Sequence, residues 1–255
     1  MPTENIDKKK VVVTGGASGI GMDIAALLLS RDWEVHLIDL KLENLQLACD
    51  ILGLSHGNAH VADVSDEQAI GTIFETLTRT GPLSALVNSA GIGVDKLVVD
   101  TDVADFRRMF DVNLVGTFLP ARAAARHWLA SGLPGAIVNV SSVSGILGSK
   151  GRGAYGASKA AVNQLTRIFA TELGPKGIRV NAVAPGAIET PLSRAVHTED
   201  VRRQWKVRIP LARYGSVREI AVTVAFLISD EASYINGQIL AVDGGFSSAG
   251  LMVEP

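Results

Sequence analysis

The chain contains one cysteine, Cys49, among its 255 residues, so it cannot form an intrachain disulfide. Cys49 lies between Leu47 and Ile51 in a segment with helical spacing, where a small buried thiol is the usual arrangement. A chain without disulfides suits a reducing compartment, and we therefore expect a cytoplasmic protein.

Long apolar runs and an excess of charge of one sign are also missing. No stretch reaches the roughly 20 apolar residues of a membrane span. The first ten residues end in three lysines without the apolar region of a signal peptide. With 24 Lys and Arg against 26 Asp and Glu, the net charge is -2. We therefore expect neither a nucleic acid nor a membrane surface as a partner.

The histidines do not have the spacing of metal ligands. All five are scattered along the chain, and single buried or exposed imidazoles explain them without a metal. We therefore predict no catalytic metal. The five are His36, His56, His60, His127 and His197.

Short apolar segments alternate with longer segments of helical spacing along the whole chain. Fully apolar strands between helices are typical of a parallel sheet that is covered on both faces. The chain has no linker, repeat or low-complexity segment. We therefore predict an α/β fold in which residues 1–255 form one doubly wound, Rossmann-like domain with a seven-stranded parallel sheet and helices on both faces. The expected strands are 11–13, 33–38, 59–62, 85–87, 136–140, 180–183 and 239–242.

The helical pattern is broken in one place by a long irregular segment. Residues 186–214 follow the sixth expected strand, at the sheet end where open α/β sheets bind ligands. We predict a mobile substrate lid over about 187–214, and a plain surface excursion is the alternative. The expected helices are 20–29, 42–52, 67–77, 103–129 with a bend near Pro120, 154–173 and 217–228.

A glycine-rich turn joins the first expected strand to the first helix. Its spacing is Gly-x-x-x-Gly-x-Gly, and glycines let the backbone approach a pyrophosphate closely. The helix that follows offers free N–H groups and a positive dipole end to that anion. The turn therefore predicts a dinucleotide site. The residues expected to bind the cofactor here are Gly15, Ser18, Gly19, Ile20 and Gly21.

Asp39 ends the second expected strand, in the window where an acidic residue accepts the adenosine ribose hydroxyls. A carboxylate there also repels a 2′-phosphate, and no arginine occupies positions 16–18. The charge pattern therefore favours NAD over NADP. Lys41 is the one nearby cation that could bind a 2′-phosphate, so NADP remains the alternative. Asp39 could also cap the next helix, and the two roles are compatible.

Tyr155 and Lys159 are four residues apart in a segment with helical spacing, so both side chains lie on one helix face. A neighbouring ammonium favours the phenolate and lowers a phenol pKa from its usual value of about 10. The pair is therefore a candidate acid/base for work near neutral pH. A surface tyrosine beside a solvated lysine is the alternative for an isolated pair.

Further motifs follow the glycine turn in a fixed order, and together they resemble the short-chain dehydrogenase/reductase family from Lys10 to about Phe246. Ser89 stands where the second asparagine of the family's Asn-Asn-Ala-Gly motif is found. The matching segments are Thr14–Gly21, Asp63-Val64, Asn88-Ser89-Ala90-Gly91, Asn113, Ser142, Tyr155 with Lys159, Pro185-Gly186, Thr190 and Asp243-Gly244-Gly245.

The resemblance implies a catalytic tetrad of Asn113, Ser142, Tyr155 and Lys159. In this scheme Tyr155 exchanges the alcohol proton, Ser142 bonds the substrate oxygen, and Asn113 positions a water that links Lys159 to solvent. The resemblance also implies that Lys159 holds the nicotinamide ribose, and that the protein is a homotetramer. The further cofactor-binding residues that it implies are Asp63, Val64, Asn88, Ala90, Gly91, Tyr155, Lys159, Pro185, Gly186, Ile188 and Thr190.

The expected substrate walls, residues 93–97, 144–152 and 187–214, contain many cations and few aromatic residues. Arginine fits a carboxylate or sulfonate well, so a hydroxylated anion such as a sugar acid is one hypothesis. The alternative is that the charges are solvated. Ser144, Arg152 and Trp205 are the candidate substrate residues, with Arg152 first. The cations are Lys96, Lys150, Arg152, Arg194, His197, Arg202, Arg203, Lys206 and Arg208.

These observations predict an NAD-dependent oxidoreductase that moves a hydride between the cofactor and a secondary alcohol or ketone. The expected substrate is a small polar molecule: a sugar, polyol or sugar acid. One alternative is a reductase of hydrophobic ketones, either steroid-like or bound to an acyl carrier. Another, from a different class, is a non-catalytic NAD sensor on the same fold. For a subunit contact we considered Leu165, Ile168 and Phe169, which could equally face the core, and the apolar tail 250–255.

Overall fold

The computed structural model of the chain describes residues 8–250. The tail considered above for a subunit contact lies outside these residues except for its first glycine. The strands are β1 (Lys10–Thr14), β2 (Glu34–Asp39), β3 (Ala59–Val61), β4 (Leu83–Asn88), β5 (Gly135–Val140), β6 (Ile178–Pro185), β7 (Ile188–Glu189), β8 (Gly215–Ser216) and β9 (Ile239–Val242). The helices are α1 (Gly19–Leu29), α2 (Leu42–Leu52), α3 (Glu67–Arg79), α4 (Val103–Phe110), α5 (Gly116–Ser131), α6 (Gly153–Leu173), α7 (Pro191–Val196), α8 (Glu199–Arg208) and α9 (Val217–Ile228).

Seven strands form one sheet in the order β3-β2-β1-β4-β5-β6-β9, and every neighbouring pair is parallel. The predicted seven-stranded, doubly wound sheet is confirmed. The chain builds outward from β1 to β3 and then returns to place β4 on the other side of β1. This reversal creates the crevice at the carboxyl ends of β1 and β4 where such folds bind ligands.

The sheet separates two apolar cores because successive strand residues point to opposite faces. Val11 and Val13 contribute to one core, which is covered by α1, α2 and α9. Val12 contributes to the other, which is covered by α3, α5 and α6. All three valines are fully buried. Helices on both faces therefore explain why these strands are continuous apolar runs instead of alternating ones.

Local sequence sets several helix ends. The Asp66 carboxylate accepts bonds from two backbone N–H groups at the start of α3. Ser216 and Glu219 form a reciprocal capping box at the start of α9. Gly53 and Gly132 end α2 and α5 in the left-handed conformation, with φ of 66° and 69°.

The single helix expected over 103–129 is divided in the structure. A π-helical turn, Asp111–Val115, separates α4 from α5, and Pro120 lies inside α5. Pro120 has no N–H to donate to the carbonyl four residues earlier, so the turn before it must adjust. The irregularity therefore falls at 111–115 and not at Pro120, and it places Asn113 in the widened turn.

The segment expected to be irregular over 187–214 contains β7, α7 and α8, and β7 pairs with β8 just beyond its end. Thr190 begins α7 with a capping box, and the Thr198 side chain caps α8. Beneath these helices, Tyr214, Trp205 and Phe246 form part of a small apolar cluster. The lid region therefore has regular structure and packing of its own.

The three residues considered for a subunit contact do not share one exposed face. Leu165 and Phe169 pack in the core formed with α3 and α5, whereas Ile168 is 44% exposed. Most of this group therefore stabilises the domain itself. In the range 8–250, no helix combines the length and the apolar character needed to cross a membrane.

Candidate active site

The residues predicted for the site lie along the carboxyl edge of the sheet. Thr14, Asp39, Asn88 and Pro185 are the last residues of β1, β2, β4 and β6. Asp63 and Val64 follow β3, and Ser142 follows β5. Asn113 comes from the π turn, and Tyr155 and Lys159 come from the first two turns of α6.

The glycine turn forms a cradle that side chains would fill. Gly15 has φ of +63°, and a Cβ there would lie 2.7 Å from the Ala90 Cα. A Cβ on Gly21 would overlap the Gly15 carbonyl oxygen. Ser18 is the N-cap of α1, and within residues 8–250 its side chain makes no capping bond to the helix. The first N–H groups of α1 therefore face the cradle, and the shape and polarity fit a pyrophosphate.

Asp39 is held beside this cradle by two backbone donors. The Ala17 N–H donates to one carboxylate oxygen at 3.1 Å, and the Leu40 N–H donates to the other at 2.8 Å. The N-cap of α2 is Lys41, so the alternative role of Asp39 as that cap is wrong. The carboxylate is oriented between the first two strands, where a ribose would follow the pyrophosphate.

Asp63 forms a tight turn after β3. Its Oδ1 accepts bonds from the Ser65 hydroxyl at 2.6 Å and the Ser65 N–H at 2.9 Å. These bonds, with a smaller contribution from the charge of Arg108, hold the pKa of the Asp63 carboxyl below its usual value. Val64 is buried against Gly116 at the start of α5. The turn is therefore held in place directly after β3, at the carboxyl edge of the sheet.

The motif after β4 is tied to β1 through a buried hydroxyl. Thr14 Oγ1 accepts bonds from the N–H groups of Ser89 and Ala90, both at 3.2 Å. The Asn88 amide donates to Asn139 Oδ1 on β5 at 2.9 Å. These bonds lock the ends of three adjacent strands together. Thr14 was assigned no separate role from the sequence, although it begins the glycine motif.

Asn113 clamps the loop that follows Gly91. Its Oδ1 accepts from the Ile92 N–H at 2.8 Å, and its Nδ2 donates to the Ile92 carbonyl at 3.0 Å. The same Nδ2 donates to Ser158 Oγ at 2.9 Å. A Cβ on Gly91 would lie 3.1 Å from Asn113 Oδ1 and 3.3 Å from Lys159 Nζ, so the loop runs directly over both residues.

Ser142 and Ser141 point to different places. Ser141 Oγ donates to Asn163 on α6 at 2.6 Å and is buried. Ser142 Oγ accepts from the Ser144 N–H at 3.1 Å and interacts with the Tyr155 phenol. Ser142 thus interacts with both Ser144 and Tyr155.

Burial of the Tyr155 phenol raises its pKa, because the phenolate loses hydration. Interaction with the Ser142 hydroxyl and the charge of Arg152 act in the opposite direction, and the charge of Asp95 adds to the rise. The sequence had assigned the lowering influence to Lys159. In the structure, Ser142 and Arg152 lower the Tyr155 pKa, and the Lys159 ammonium lies 5.9 Å from the centre of the Tyr155 ring.

Lys159 is almost completely buried, with 5% of its surface exposed. Its Nζ donates to the Val140 carbonyl at 2.9 Å and lies 5.9 Å from the centre of the Tyr155 ring. Burial lowers the pKa of the ammonium from 10.5 to about 8. The Lys159 ammonium has three N–H donors, so it can donate hydrogen bonds to a ligand as well as to the Val140 carbonyl.

The segment after β6 crosses the open side of the crevice. Gly186 packs against Asp243, and its N–H donates to the Val242 carbonyl at 3.1 Å. Ile188 is buried in β7, and the Thr190 hydroxyl accepts from the Ser193 N–H at 3.0 Å. The predicted cofactor residues Pro185, Gly186, Ile188 and Thr190 thus lie on one continuous strand-to-helix connection.

The three candidate substrate residues separate in the structure. The Arg152 guanidinium carbon lies 5.3 Å from the centre of the Tyr155 ring, and Ser144 is adjacent to Ser142. Trp205 instead packs on Phe246 within the lid cluster, with ring centres 4.8 Å apart. Arg152 therefore lies near the Tyr155 ring and Ser144 lies next to Ser142, whereas Trp205 has a packing role.

Many of the expected substrate-wall cations are paired with carboxylates. Arg152 Nε lies 2.8 Å from Asp95 Oδ1, and Asp95 was missed although it lies in the predicted wall 93–97. Scanning that wall for acids as well as cations would have found it. Other pairs from the same set are Lys96 with Asp102 and Asp105, Arg194 and Arg202 with Glu189, and Arg203 with Asp200.

The sequence of this chain is similar to those of several known oxidoreductases. A family model described as enoyl-(acyl carrier protein) reductase matches residues 15–247. The chain is 39% identical over 243 residues to the 3-oxoacyl-(acyl-carrier-protein) reductase FabG of Thermotoga maritima, covering 94% of this chain and 98% of that protein. It is 39% identical over 245 residues to the L-tagatose-forming galactitol 2-dehydrogenase of Cereibacter sphaeroides, covering 95% and 96%.

Solved structures show the same fold. A short-chain type dehydrogenase/reductase from Mycobacterium ulcerans superimposes with a TM-score of 0.89 at 32% identity, covering 95% of this chain and 90% of that one. The structure of ElxO with NADP bound superimposes with a TM-score of 0.88 at 32% identity, covering 95% and 100%. The similarity therefore extends over nearly the whole chain.

Proposed function

The chain belongs to the short-chain dehydrogenase/reductase family and is an oxidoreductase that uses a nicotinamide cofactor, and from that premise we propose that it moves a hydride between NAD and a small polar secondary alcohol or ketone. The observation that carries this proposal is that Ser142, just after β5, interacts with the Tyr155 phenol at the start of α6, beside the loop that follows β4. We further propose that residues 1–255 act as one dinucleotide-binding and catalytic domain.

The proposed chemistry uses one proton acceptor and one donor to the substrate oxygen. During oxidation Tyr155 takes the hydroxyl proton, and during reduction it returns that proton. Ser142 bonds the same oxygen as negative charge develops on it. A bound nicotinamide supplies the hydride acceptor or donor. Tyr155 is carried by the first turn of α6, and the Ser142 hydroxyl is held by the Ser144 N–H, so the substrate oxygen would meet groups that are already in place.

Lys159 and Asn113 support the proposed proton path. The buried Lys159 ammonium, with its pKa lowered to about 8, can bond a nicotinamide ribose without leaving the crevice. Asn113 forms two hydrogen bonds with the Ile92 backbone, and these bonds fix the loop after β4 next to Lys159. We propose that a water near Asn113 links Lys159 to solvent. The remaining cofactor contacts are proposed for the residues named in the sequence analysis.

We propose NAD as the preferred cofactor because Asp39 presents a carboxylate where the adenosine ribose would lie. The two backbone N–H groups that hold Asp39 fix its negative charge at the edge of the cradle, so a 2′-phosphate would be repelled. ElxO has the same fold with NADP bound, so the cofactor must be tested directly.

The cofactor test is the double substitution Asp39→Ala with Leu40→Arg. Removing the carboxylate and adding a guanidinium should shift the ratio of kcat/KM for NAD to that for NADP by about 100-fold toward NADP. Leu40→Arg alone is the control, because it adds the cation but keeps the carboxylate. An unchanged ratio in the double variant would remove Asp39 from this role.

The proposed substrate is a small polar molecule, and a neutral polyol or sugar is favoured over a sugar acid. Asp95 balances the charge of Arg152 beside Tyr155, so an incoming carboxylate would meet a negative as well as a positive group. Galactitol 2-dehydrogenase, with a polyol in its name, is a relative at 39% identity. The test is NADH formation with a panel of polyols, sugars and sugar acids.

A second candidate is a reductase of ketones bound to an acyl carrier. The relative from Thermotoga maritima carries that activity in its name, and the matching family model is described as an acyl-carrier-protein reductase. Acetoacetyl thioesters with NADH or NADPH separate the two candidates. Faster turnover of the thioester than of every polyol would favour this second function. Binding of NADH with turnover of neither class would favour a sensor.

The assembly and location of the enzyme are also proposals. We propose a homotetramer in the cytoplasm, based on the family resemblance and on the single, buried Cys49. Light scattering on the eluting protein measures the assembly, and a monomer at micromolar concentration would contradict it.

A further inference from the structure

An ion pair stands beside the phenol that we propose as the acid/base. Arg152 is the N-cap residue of α6, three positions before Tyr155, so both lie on one face of the helix start. Its guanidinium carbon is 5.3 Å from the centre of the Tyr155 ring, and its Nε is 2.8 Å from Asp95 Oδ1. The phenol therefore has a cation close by, and that cation is paired with a carboxylate.

The loop that carries Asp95 is attached to the segment that carries Arg152. The Lys96 N–H donates to the Gly151 carbonyl at 3.0 Å, and Lys96 and Arg152 form a parallel bridge. The Lys96 ammonium is itself held by two aspartates at the start of α4, at 2.7 Å and 2.8 Å. Backbone pairing next to Asp95 and at Arg152 thus holds the two loops together. The geometry of the ion pair therefore does not depend on flexible side chains alone.

We propose that the Asp95–Arg152 ion pair is a positioning pair that sets how readily Tyr155 releases its proton, an inference that rests on the proposed role of Tyr155. A cation near the ring stabilises the phenolate, and a carboxylate near that cation weakens the effect. The effect of Arg152 on the phenol is larger than that of Asp95, so the pair favours the phenolate. The directions found for the Tyr155 pKa agree, because Arg152 lowers it and Asp95 raises it.

Other polar and charged groups lie near the phenol and act on it alongside this pair. Ser142 interacts with the phenol as a neutral hydroxyl, and the Lys159 ammonium lies 5.9 Å from the ring on the side of the Val140 carbonyl. From the lid, His197 is within reach of the Arg152 and Asp95 charges. Its pKa is lowered by burial, so it is neutral near pH 7.

The lid contains a second group of one arginine, one carboxylate and one tyrosine, and this group serves as an internal control. Arg202 lies 4.9 Å from the centre of the Tyr214 ring and pairs with Glu189. The Tyr214 hydroxyl bonds His197 Nδ1 at 2.9 Å, so the two sets face each other across one imidazole. A charge removed from one set should act on its own phenol and much less on the other.

The test is a direct titration of the tyrosines by NMR with carbon-labelled tyrosine. The chain has only three tyrosines, and Tyr155→Phe identifies the Tyr155 signal. Asp95→Asn should lower the Tyr155 pKa by about one unit, and Arg152→Gln should raise it by a similar amount. Arg152→Lys should restore most of the wild-type value because the charge is kept. Arg202→Gln should move the Tyr214 signal instead.

Opposite shifts in the Asp95 and Arg152 variants are the required result. Shifts in the same direction, or none, would overturn the proposal, and either variant alone supplies a sign if the other does not fold. The rising limb of kcat for alcohol oxidation against pH should move with the NMR values, because Tyr155 must be deprotonated to accept the hydroxyl proton. A rise in KM without movement of that limb would make Arg152 a substrate anchor and would also overturn it.

The titration needs no substrate, so its failure is distinct from failure of the proposed function. Turnover retained in Tyr155→Phe would remove the proposed function, while opposite NMR shifts would still show that the pair acts on the phenol.

Discussion

Replacement of Lys159 by methionine should change how the stability of the protein depends on pH. Lys159 is buried, and burial lowers its pKa from 10.5 to about 8. At about 1.36 kcal/mol per pKa unit, keeping this ammonium charged inside the fold costs about 3 kcal/mol. Methionine fills a similar volume without a charge, so the variant does not carry this cost.

The sign of the effect follows from proton binding. Between about pH 8 and pH 10.5 the unfolded chain keeps a proton on this lysine that the folded chain has lost. The free energy of unfolding therefore gains nothing from this lysine below about pH 8, and it increases as the pH rises from about 8 to 10.5. Relative to Lys159→Met, wild-type stability should rise by about 2 kcal/mol between about pH 7 and pH 9.5.

The assay is urea denaturation of the cofactor-free protein at several pH values, with the free energy of unfolding compared between the two chains. The variant also loses the bond from Nζ to the Val140 carbonyl, at a cost of about 1 kcal/mol. That loss does not vary with pH, so it cancels in the comparison of slopes. Parallel curves for wild type and variant would refute the reasoning, because they would mean that the buried lysine keeps its ordinary pKa.

Two further predictions concern the cradle. Gly21→Ala should weaken NADH binding at least about 100-fold, because its Cβ would overlap the Gly15 carbonyl oxygen and displace the turn; NADH fluorescence measures this, and normal binding would contradict it. Thr14→Val should destabilise the protein by about 2 kcal/mol in thermal unfolding, because two N–H groups lose their acceptor. Thr14→Ser keeps the hydroxyl and should cost less, so equal losses in both variants would count against the hydrogen-bond explanation.

The sheet and the glycine cradle could be predicted from the sequence because each depends on a local pattern. Apolar runs such as Val11 to Val13 fit only a strand that is buried on both faces. The position of the glycine motif between the first strand and the first helix identified the nucleotide end. The strand order itself required the structure, because hydrogen bonding between strands leaves no trace in the periodicity of one strand.

The lid helices could have been predicted from capping residues rather than from apolar spacing. Thr190 followed by Pro191 is a typical helix start, and Thr198 precedes two acidic residues in the first turn of α8. Helix α8 buries few apolar residues, so a search for apolar periodicity does not detect it. The π turn around Asn113 also has no apolar signature, and its position was displaced from Pro120 by one helical turn or more.

The electrostatics near Tyr155 could be predicted only in part. The spacing of Tyr155 and Lys159 indicated the acid/base candidate, but it did not indicate that the Asp95–Arg152 pair also acts on the Tyr155 pKa. Asp95 and Arg152 are far apart in the chain, and their pairing depends on the bridge between two loops. Such a contact between loops follows from tertiary packing, which the spacing of residues along one helix does not reveal.

The most direct test of the account is the rate of NADH formation by wild type and Tyr155→Phe with an alcohol that the wild type oxidises. Phenylalanine keeps the ring and its packing but removes the proton acceptor. The account predicts a loss of kcat of at least about 100-fold with NADH binding unchanged. Turnover by Tyr155→Phe at a rate near that of the wild type would contradict it.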